Sequence, residues 1–273
     1  MMNKTRTTCT LLAGLAIAWV SAPAQSAFLY GTTGAGGTTS TLVKIDATTG
    51  AVISTIGAVG FSVNGLAWDA ATRTLYGSAR NDAGLLRINT TTGAGTLVAG
   101  GFGSPAGGCD SRNVLLAAGS AGSLFGWCDP SSDDLMSINK VTGKATVVGD
   151  SGLGTFEHGL AFNKGGSLYL YNGDGQYYTI DATTGAATAQ GSVASAPAHH
   201  GTFNPDDDFY YGVAGGGLIN ILDLVGGSGL RKTLDTGLSD LHTLAFVNIP
   251  EPGSLSLLVL GLLGMSLGRR RTS

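Results

Sequence analysis

An aromatic residue returns at nearly constant spacing along this chain. Tyr30, Tyr76, Phe125, Tyr169 and Tyr211 stand 46, 49, 44 and 42 residues apart. Each sits in a short apolar triplet: Leu29-Tyr30-Gly31, Leu75-Tyr76-Gly77, Leu124-Phe125-Gly126, Leu168-Tyr169-Leu170 and Tyr210-Tyr211-Gly212. The same four-part block surrounds each triplet. A short apolar segment such as Leu66-Ala67-Trp68 or Leu160-Ala161-Phe162 precedes it. A third segment follows and ends in an Ile-Asp/Asn-x-x-Thr-Gly turn, at 45–50, 88–93, 138–143 and 180–185. A fourth, as at 51–56 and 145–148, completes the block. With 45 glycines, abundant Thr and Ala and no long 3.6-residue periodicity, the chain reads as all-β with many tight turns.

A repeat of about 40–50 residues holding four short strands is the pattern of a β-propeller blade. One four-stranded sheet cannot bury both of its faces alone. Stacking blades round an axis does so, with the recurrent aromatics packing between sheets. The core begins at a second strand (Phe28) and finishes with a lone first strand, His242-Thr243-Leu244-Ala245-Phe246. The last strand is therefore expected to complete the first blade, close the ring and leave no free edge. That predicts five blades: 28–57 with 242–247, 58–100, 101–150, 151–193 and 194–241. An open array or another small β-solenoid is the alternative. The core resembles secreted bacterial propellers built from Leu-Tyr-Gly and Ile-Asp-x-x-Thr-Gly repeats; WD and kelch patterns are absent. That resemblance implies a binding or scaffolding platform, although the fold also hosts enzymes.

The two ends have a different composition. Lys4 and Arg6 precede an apolar run over 11–20 and then small residues, the order of a secretory signal peptide occupying residues 1–27, with cleavage after Ala24 or Ala27. At the other end come Pro250, Glu251 and Pro252, a 14-residue apolar run over 255–268, and Arg269, Arg270 and Arg271. As a helix the run would reach roughly 21 Å at 1.5 Å per residue, short for a hydrocarbon core of about 30 Å. The arginines would stay on the cytoplasmic side. This three-part tail, residues 249–273, resembles the PEP-CTERM sorting signal of Gram-negative bacteria. The resemblance implies export, a transient stop in the inner membrane through a hydrophobic sorting helix, processing near Pro-Glu-Pro by an exosortase, and delivery to the cell surface or a polysaccharide matrix. An ordinary C-terminal anchor is the alternative.

Between these segments residues 28–248 form one repeat domain. It carries 10 Lys and Arg against 17 Asp and Glu, a net charge of −7 that the whole-chain value of −3 conceals. Such a surface offers neither phosphate neutralisation nor steering, which excludes nucleic acid and anionic lipid as expected partners. Two cysteines remain once Cys9 leaves with the signal peptide. Cys109 and Cys128 are expected to pair as a disulfide in an exported chain. There is no Cys-x-x-Cys.

Aligning the blades brings out one polar column: Asn64, Asn113, His158, His200 and His242, each at or just before the start of a first strand. The histidines are spaced by 42 and 42. First strands line a propeller's axis, so these five side chains are expected to ring one mouth. Three neutral imidazoles there would suit Zn²⁺; local backbone capping or bound water is the other reading. The Asp-rich turns at 129–134, 172–175 and 204–208 supply oxygens of the kind Ca²⁺ takes, but match neither an EF-hand loop nor a calcium-binding nonapeptide. They read as solvated turns. No motif requires a cofactor.

Signatures of catalysis are thin. There is no His-Glu-x-x-His and no Gly-x-Ser-x-Gly, and Glu157 is the only glutamate of the core. The expected function is non-enzymatic: an exported propeller that binds polysaccharide or another surface component, with exposed tyrosines and Asp/Asn turns contacting sugar. A hydrolase or lyase acting on matrix polysaccharide, and a metal-binding surface protein, are the alternatives.

Overall fold

The computed structural model describes residues 27–34, 37–80, 84–103, 113–128, 133–154, 158–193, 196–227 and 229–247. These form twenty strands in five antiparallel four-stranded sheets. In chain order they are β1 (Phe28–Thr33), β2 (Thr41–Asp46) and β3 (Val52–Ala58); β4 (Val63–Asp69), β5 (Thr74–Ala79), β6 (Gly84–Ile88) and β7 (Gly95–Leu97); β8 (Val114–Ala118), β9 (Leu124–Cys128), β10 (Asp134–Ile138) and β11 (Ala145–Asp150); β12 (Gly159–Phe162), β13 (Leu168–Tyr171), β14 (Gln176–Ile180) and β15 (Ala187–Ser192); β16 (His199–Phe203), β17 (Tyr210–Val213), β18 (Leu218–Asp223) and β19 (Gly229–Asp235); and β20 (Leu241–Val247). The chain is a five-bladed, all-β propeller, with no α-helix among the described residues.

The first sheet runs β20-β1-β2-β3, so its inner strand is the last in sequence. Phe28 lies opposite Val247, Leu29 opposite Phe246 and Tyr30 opposite Ala245. The inner strands β20, β4, β8, β12 and β16 each touch the next round the axis, β20 meeting both β4 and β16. Hydrogen bonds join several of them. His200 N donates to His158 O at 2.9 Å, Thr243 Oγ1 to His200 O at 3.4 Å, and Leu66 N to Thr243 Oγ1 at 3.2 Å.

The aromatic anchors have partners that the repeat alone does not reveal. A residue at or next to the end of each inner strand, four times an aromatic, meets the anchor of the blade before it. Trp68 lies 6.3 Å from Tyr30, Phe162 5.8 Å from Phe125, Phe203 5.2 Å from Tyr169 and Phe246 5.8 Å from Tyr211. Offset and edge-on pairs at these separations are each worth about 0.5–1.5 kcal/mol beyond their burial. At the fifth junction, between the second and third blades, Tyr76 is matched by Ala118.

The Thr-Gly turns show why their residue types recur. The carboxylate of Asp181 accepts from Thr183 N at 2.7 Å and Thr184 N at 3.1 Å, while Gly185 N donates to Asp181 O at 2.8 Å. Asp46, Asn89 and Asn139 repeat the arrangement. The closing glycine has a second duty. Gly185 (φ +79°) and Gly93 (φ +83°) press on the outer strand of the preceding blade, where an added Cβ would fall 2.4 Å from Gly149 O and 2.5 Å from Gly57 O. In the fifth blade, where Val225-Gly226 replaces Thr-Gly, Asp223 still accepts from Gly226 N, at 2.6 Å.

Cys128 is fully buried at the end of β9. Its expected partner Cys109 lies outside the described residues, as do the signal peptide (1–26 of it) and the tail from residue 248 with Pro250, Glu251, Pro252, Arg269, Arg270 and Arg271.

Candidate functional site

Inner strands all run the same way along the axis, so the propeller has two chemically different mouths. At the mouth where they start stand the residues of the polar column. Asn64 is second in β4 and buried; His158 precedes β12 and is wholly buried; His200 and His242 are second in β16 and β20 and partly buried; Asn113 is partly exposed just before β8.

Their side chains make two separate sets of contacts. His200 and His242 stack at 4.6 Å between ring centroids, and His242 Nε2 approaches Asn64 Oδ1 at 3.4 Å. His158 turns elsewhere, with Nε2 3.8 Å from an Asp133 carboxylate oxygen and its ring 5.9 Å from Trp127. Among the described residues no three His, Cys, Asp or Glu side chains are grouped so as to hold a metal ion. The cause is local. β16 carries a bulge between His199 and Thr202, and His200 takes a left-handed φ of +44°, a conformation that non-glycine residues rarely adopt. Equal spacing in sequence therefore does not place equivalent side chains.

The environment keeps the stacked pair neutral. Burial, and then the neighbouring His242 and His199, push His200 well below the ordinary imidazole range. Burial and the Arg80 charge lower His242, with Asp240 opposing. His200 Nδ1 is buried without a hydrogen-bond partner.

The opposite mouth, where inner strands end, holds an open depression of about 350 Å³, within the range of small-ligand sites. Residues 66–68, 116–118, 160–162 and 201–203 form its wall with Phe246; Ala70, Ser120, Asn163, Lys164 and Pro205 form its rim. Trp68 and Phe162 are the partly exposed aromatics here. Ala118, at the one junction lacking an inner aromatic, leaves its side of the wall open. Among the described residues Lys164 is the one charged residue of the lining, which includes no carboxylate and no imidazole. Its backbone N donates to Asp208 at 2.7 Å and its Nζ to Asp206 O at 3.3 Å, which ties two rim turns together. Below the floor a space of about 10 Å³ lies between Leu66, Leu115, Leu160 and His200, no more than one water would fill.

Beside this mouth an ion pair fastens the second blade to the third. Lys140 Nζ lies 2.6 Å from the carboxylate of Asp69, whose side chain is 1% exposed. Burial alone would raise the Asp69 pKa; hydrogen bonds from Lys140 and Thr72 and the Lys140 charge outweigh it and hold the group below its usual value.

Fold and site thus define a five-bladed propeller with an open depression at one mouth, and the tail carries an address. Residues 248–271 match the PEP-CTERM protein-sorting motif, a signal for export to the cell surface by way of an exosortase. No curated protein matches the chain. Among solved structures, a chain of the nidogen/laminin complex superposes with a TM-score of 0.51 at 13% identity, over 81% of this chain and 98% of that one. A gluconolactonase from Xanthomonas campestris gives 0.50 at 15% identity, over 79% of this chain and 78% of its own. At these identities the likeness is one of fold.

Proposed function

We propose that this protein is a non-enzymatic surface propeller that binds polysaccharide of the cell surface or extracellular matrix in the axial depression. The observation that carries the reading is the depression itself: concave, open, walled by Trp68 and Phe162 and rimmed by the side chains of Ser120, Asn163 and Lys164. Flat aromatic faces suit the C–H faces of sugar rings, and a few polar groups at the rim fix orientation. A lining without carboxylates among the described residues favours binding over glycoside hydrolysis, which uses a pair of them.

In this reading residues 1–27 are removed on export, 28–248 form the working domain with β20 holding the ring shut, and 249–273 are the address. The apolar run 255–268 halts in the inner membrane, Arg269–Arg271 remain inside, and cleavage falls near Pro250-Glu251-Pro252. A Cys109–Cys128 disulfide would close a loop of about 20 residues and contribute roughly 3 kcal/mol in the chain-entropy model. The test is titration of the processed protein with the host's own polysaccharide, followed by tryptophan emission. Trp19 leaves with the signal peptide and Trp127 is fully buried, so Trp68 reports the depression. Saturable quenching that Trp68→Phe removes supports the reading. No quenching and no calorimetric heat refute it, and release of reducing ends would replace it with the enzymatic alternative.

A further inference from the structure

The axial depression is closed below and walled by every blade, with its open side at Ala118. All five inner strands, β4, β8, β12, β16 and β20, contribute to its lining. The space beneath its floor, about 10 Å³, holds no more than one water, so nothing larger passes down the axis. Its own volume of about 350 Å³ lies at the small end of ligand sites, room for about one or two sugar units. A glycan lying across the mouth would rest on the rim and leave this space unfilled. A chain end would fill it, with the rest of the chain leaving past Ala118 and Ser120.

The chemistry of the lining changes with depth. Its polar side chains stand at the rim or are already committed. Thr202 Oγ1 accepts from Phe246 N at 3.3 Å. Asn163 Oδ1 accepts from Ser167 N at 2.8 Å, and its Nδ2 donates to Asp208 at 3.4 Å. Lys164 Nζ gives one hydrogen to Asp206 O and carries others. Deeper, the side chains come from three Leu-Ala pairs, 66–67, 116–117 and 160–161, all buried. The three leucines also border the small space beneath. A hydroxyl pressed on these side chains gives up water and gains no side-chain partner, which is costly. A methyl group in the same place gains from burial.

We propose that the depression receives the end of a glycan chain whose terminal sugar turns a methyl group, that of a deoxy sugar or of an acetyl substituent, onto the Leu-Ala pairs. The sugar ring lies beside Trp68 and Phe162, and its outward hydroxyls meet Ser120 and Lys164. This rests on the polysaccharide reading above and names the unit recognised.

Titrations of the processed protein with methyl glycosides, followed by Trp68 emission and calorimetry, test this. Methyl L-fucoside and methyl L-galactoside differ only in one hydroxyl, which the fucoside lacks. Methyl N-acetylglucosaminide and methyl glucoside differ only in an acetamido group in place of a hydroxyl. In one pair or both, the methyl-bearing sugar should displace the host's polysaccharide and bind at least about tenfold more tightly than its partner. The pair that discriminates tells which methyl is read. Equal affinities within both pairs, or no binding of any of these sugars at millimolar concentration, overturn the proposal; if the polysaccharide still quenches Trp68, the function reading survives. If a methyl-bearing sugar binds with the expected preference while the polysaccharide leaves Trp68 unchanged, the function reading fails and the preference of the depression stands.

Discussion

Replacing Ala118 by phenylalanine should stabilise the propeller and close its candidate site at the same time. Ala118 occupies the register position held by Trp68, Phe162, Phe203 and Phe246 in the other blades; it pairs with Leu124 as Phe162 pairs with Leu168. It packs against the cluster containing Tyr76, and it borders the open depression. A new ring can therefore settle against Tyr76 as the other four settle against their anchors, at separations of 5.2 to 6.3 Å. Burying about half the ring, some ~80 Å² at ~25 cal/mol per Å², yields about 2 kcal/mol. Aromatic pairing adds about 0.5–1.5 kcal/mol, and ordering the side chain subtracts about 1 kcal/mol. A net gain of about 2 kcal/mol corresponds to a Tm rise of roughly 4–8 °C for a domain of this size. Differential scanning calorimetry measures it, and titration with polysaccharide should show binding weakened about tenfold, or 1.4 kcal/mol. A lower Tm would mean the junction is already full and overpacked, and the account of the missing aromatic would be wrong. A higher Tm with unaltered binding would leave the packing argument standing and move the ligand elsewhere.

Three other outcomes are expected. Lys140→Ala leaves the buried Asp69 carboxylate without its charged partner and should cost about 2–3 kcal/mol in urea unfolding; Asp69→Asn in the same background should recover part of this if the pairing is as described. Because His200 and His242 are held below the ordinary imidazole range, the unfolded chain takes up protons that the folded one refuses. Stability should be fully present above pH ~6.5 and fall as pH drops below it, by up to ~1.4 kcal/mol per pH unit for each imidazole; denaturation curves of His200→Asn should show a shallower fall, and an unchanged slope would refute the assignment. Gly185→Ala forces a left-handed L-residue and a Cβ into Gly149 O, and should lose at least about 2 kcal/mol, whereas Gly152→Ala, also at positive φ but with nothing within 4 Å of its Cβ, should lose only the backbone part.

Blade count and strand order were legible because the Leu-Tyr-Gly triplets and Thr-Gly turns repeat in type as well as spacing. Each answers a local need, an interblade ring or a left-handed φ, that recurs in every blade. The partner column Trp68, Phe162, Phe203 and Phe246 was present in the sequence too, at 34 to 38 residues after each anchor. Its meaning depends on which neighbour a first strand touches, a fact of ring packing that spacing does not carry. The depression was harder still, since residues from five inner strands and their loops line it together. The histidine column shows how little spacing says about side-chain direction. Its spacing of 42 was regular, but a bulge in β16 and the reach of Asp133 toward His158 separate side chains that an ideal alignment superimposes.

The pairing of β20 with β1 also bears on the timing of export. A chain that crosses the inner membrane unfolded, N-terminus first, delivers β1 early and β20 last. Until β20 arrives, β1 exposes a full row of backbone donors and acceptors to any strand nearby, the condition that favours misassembly. The apolar run begins eight residues after Val247, so a pause there would come just as the missing strand has emerged. A sorting signal in that position would hold the chain just after its last strand emerges, which leaves that strand time to pair with β1.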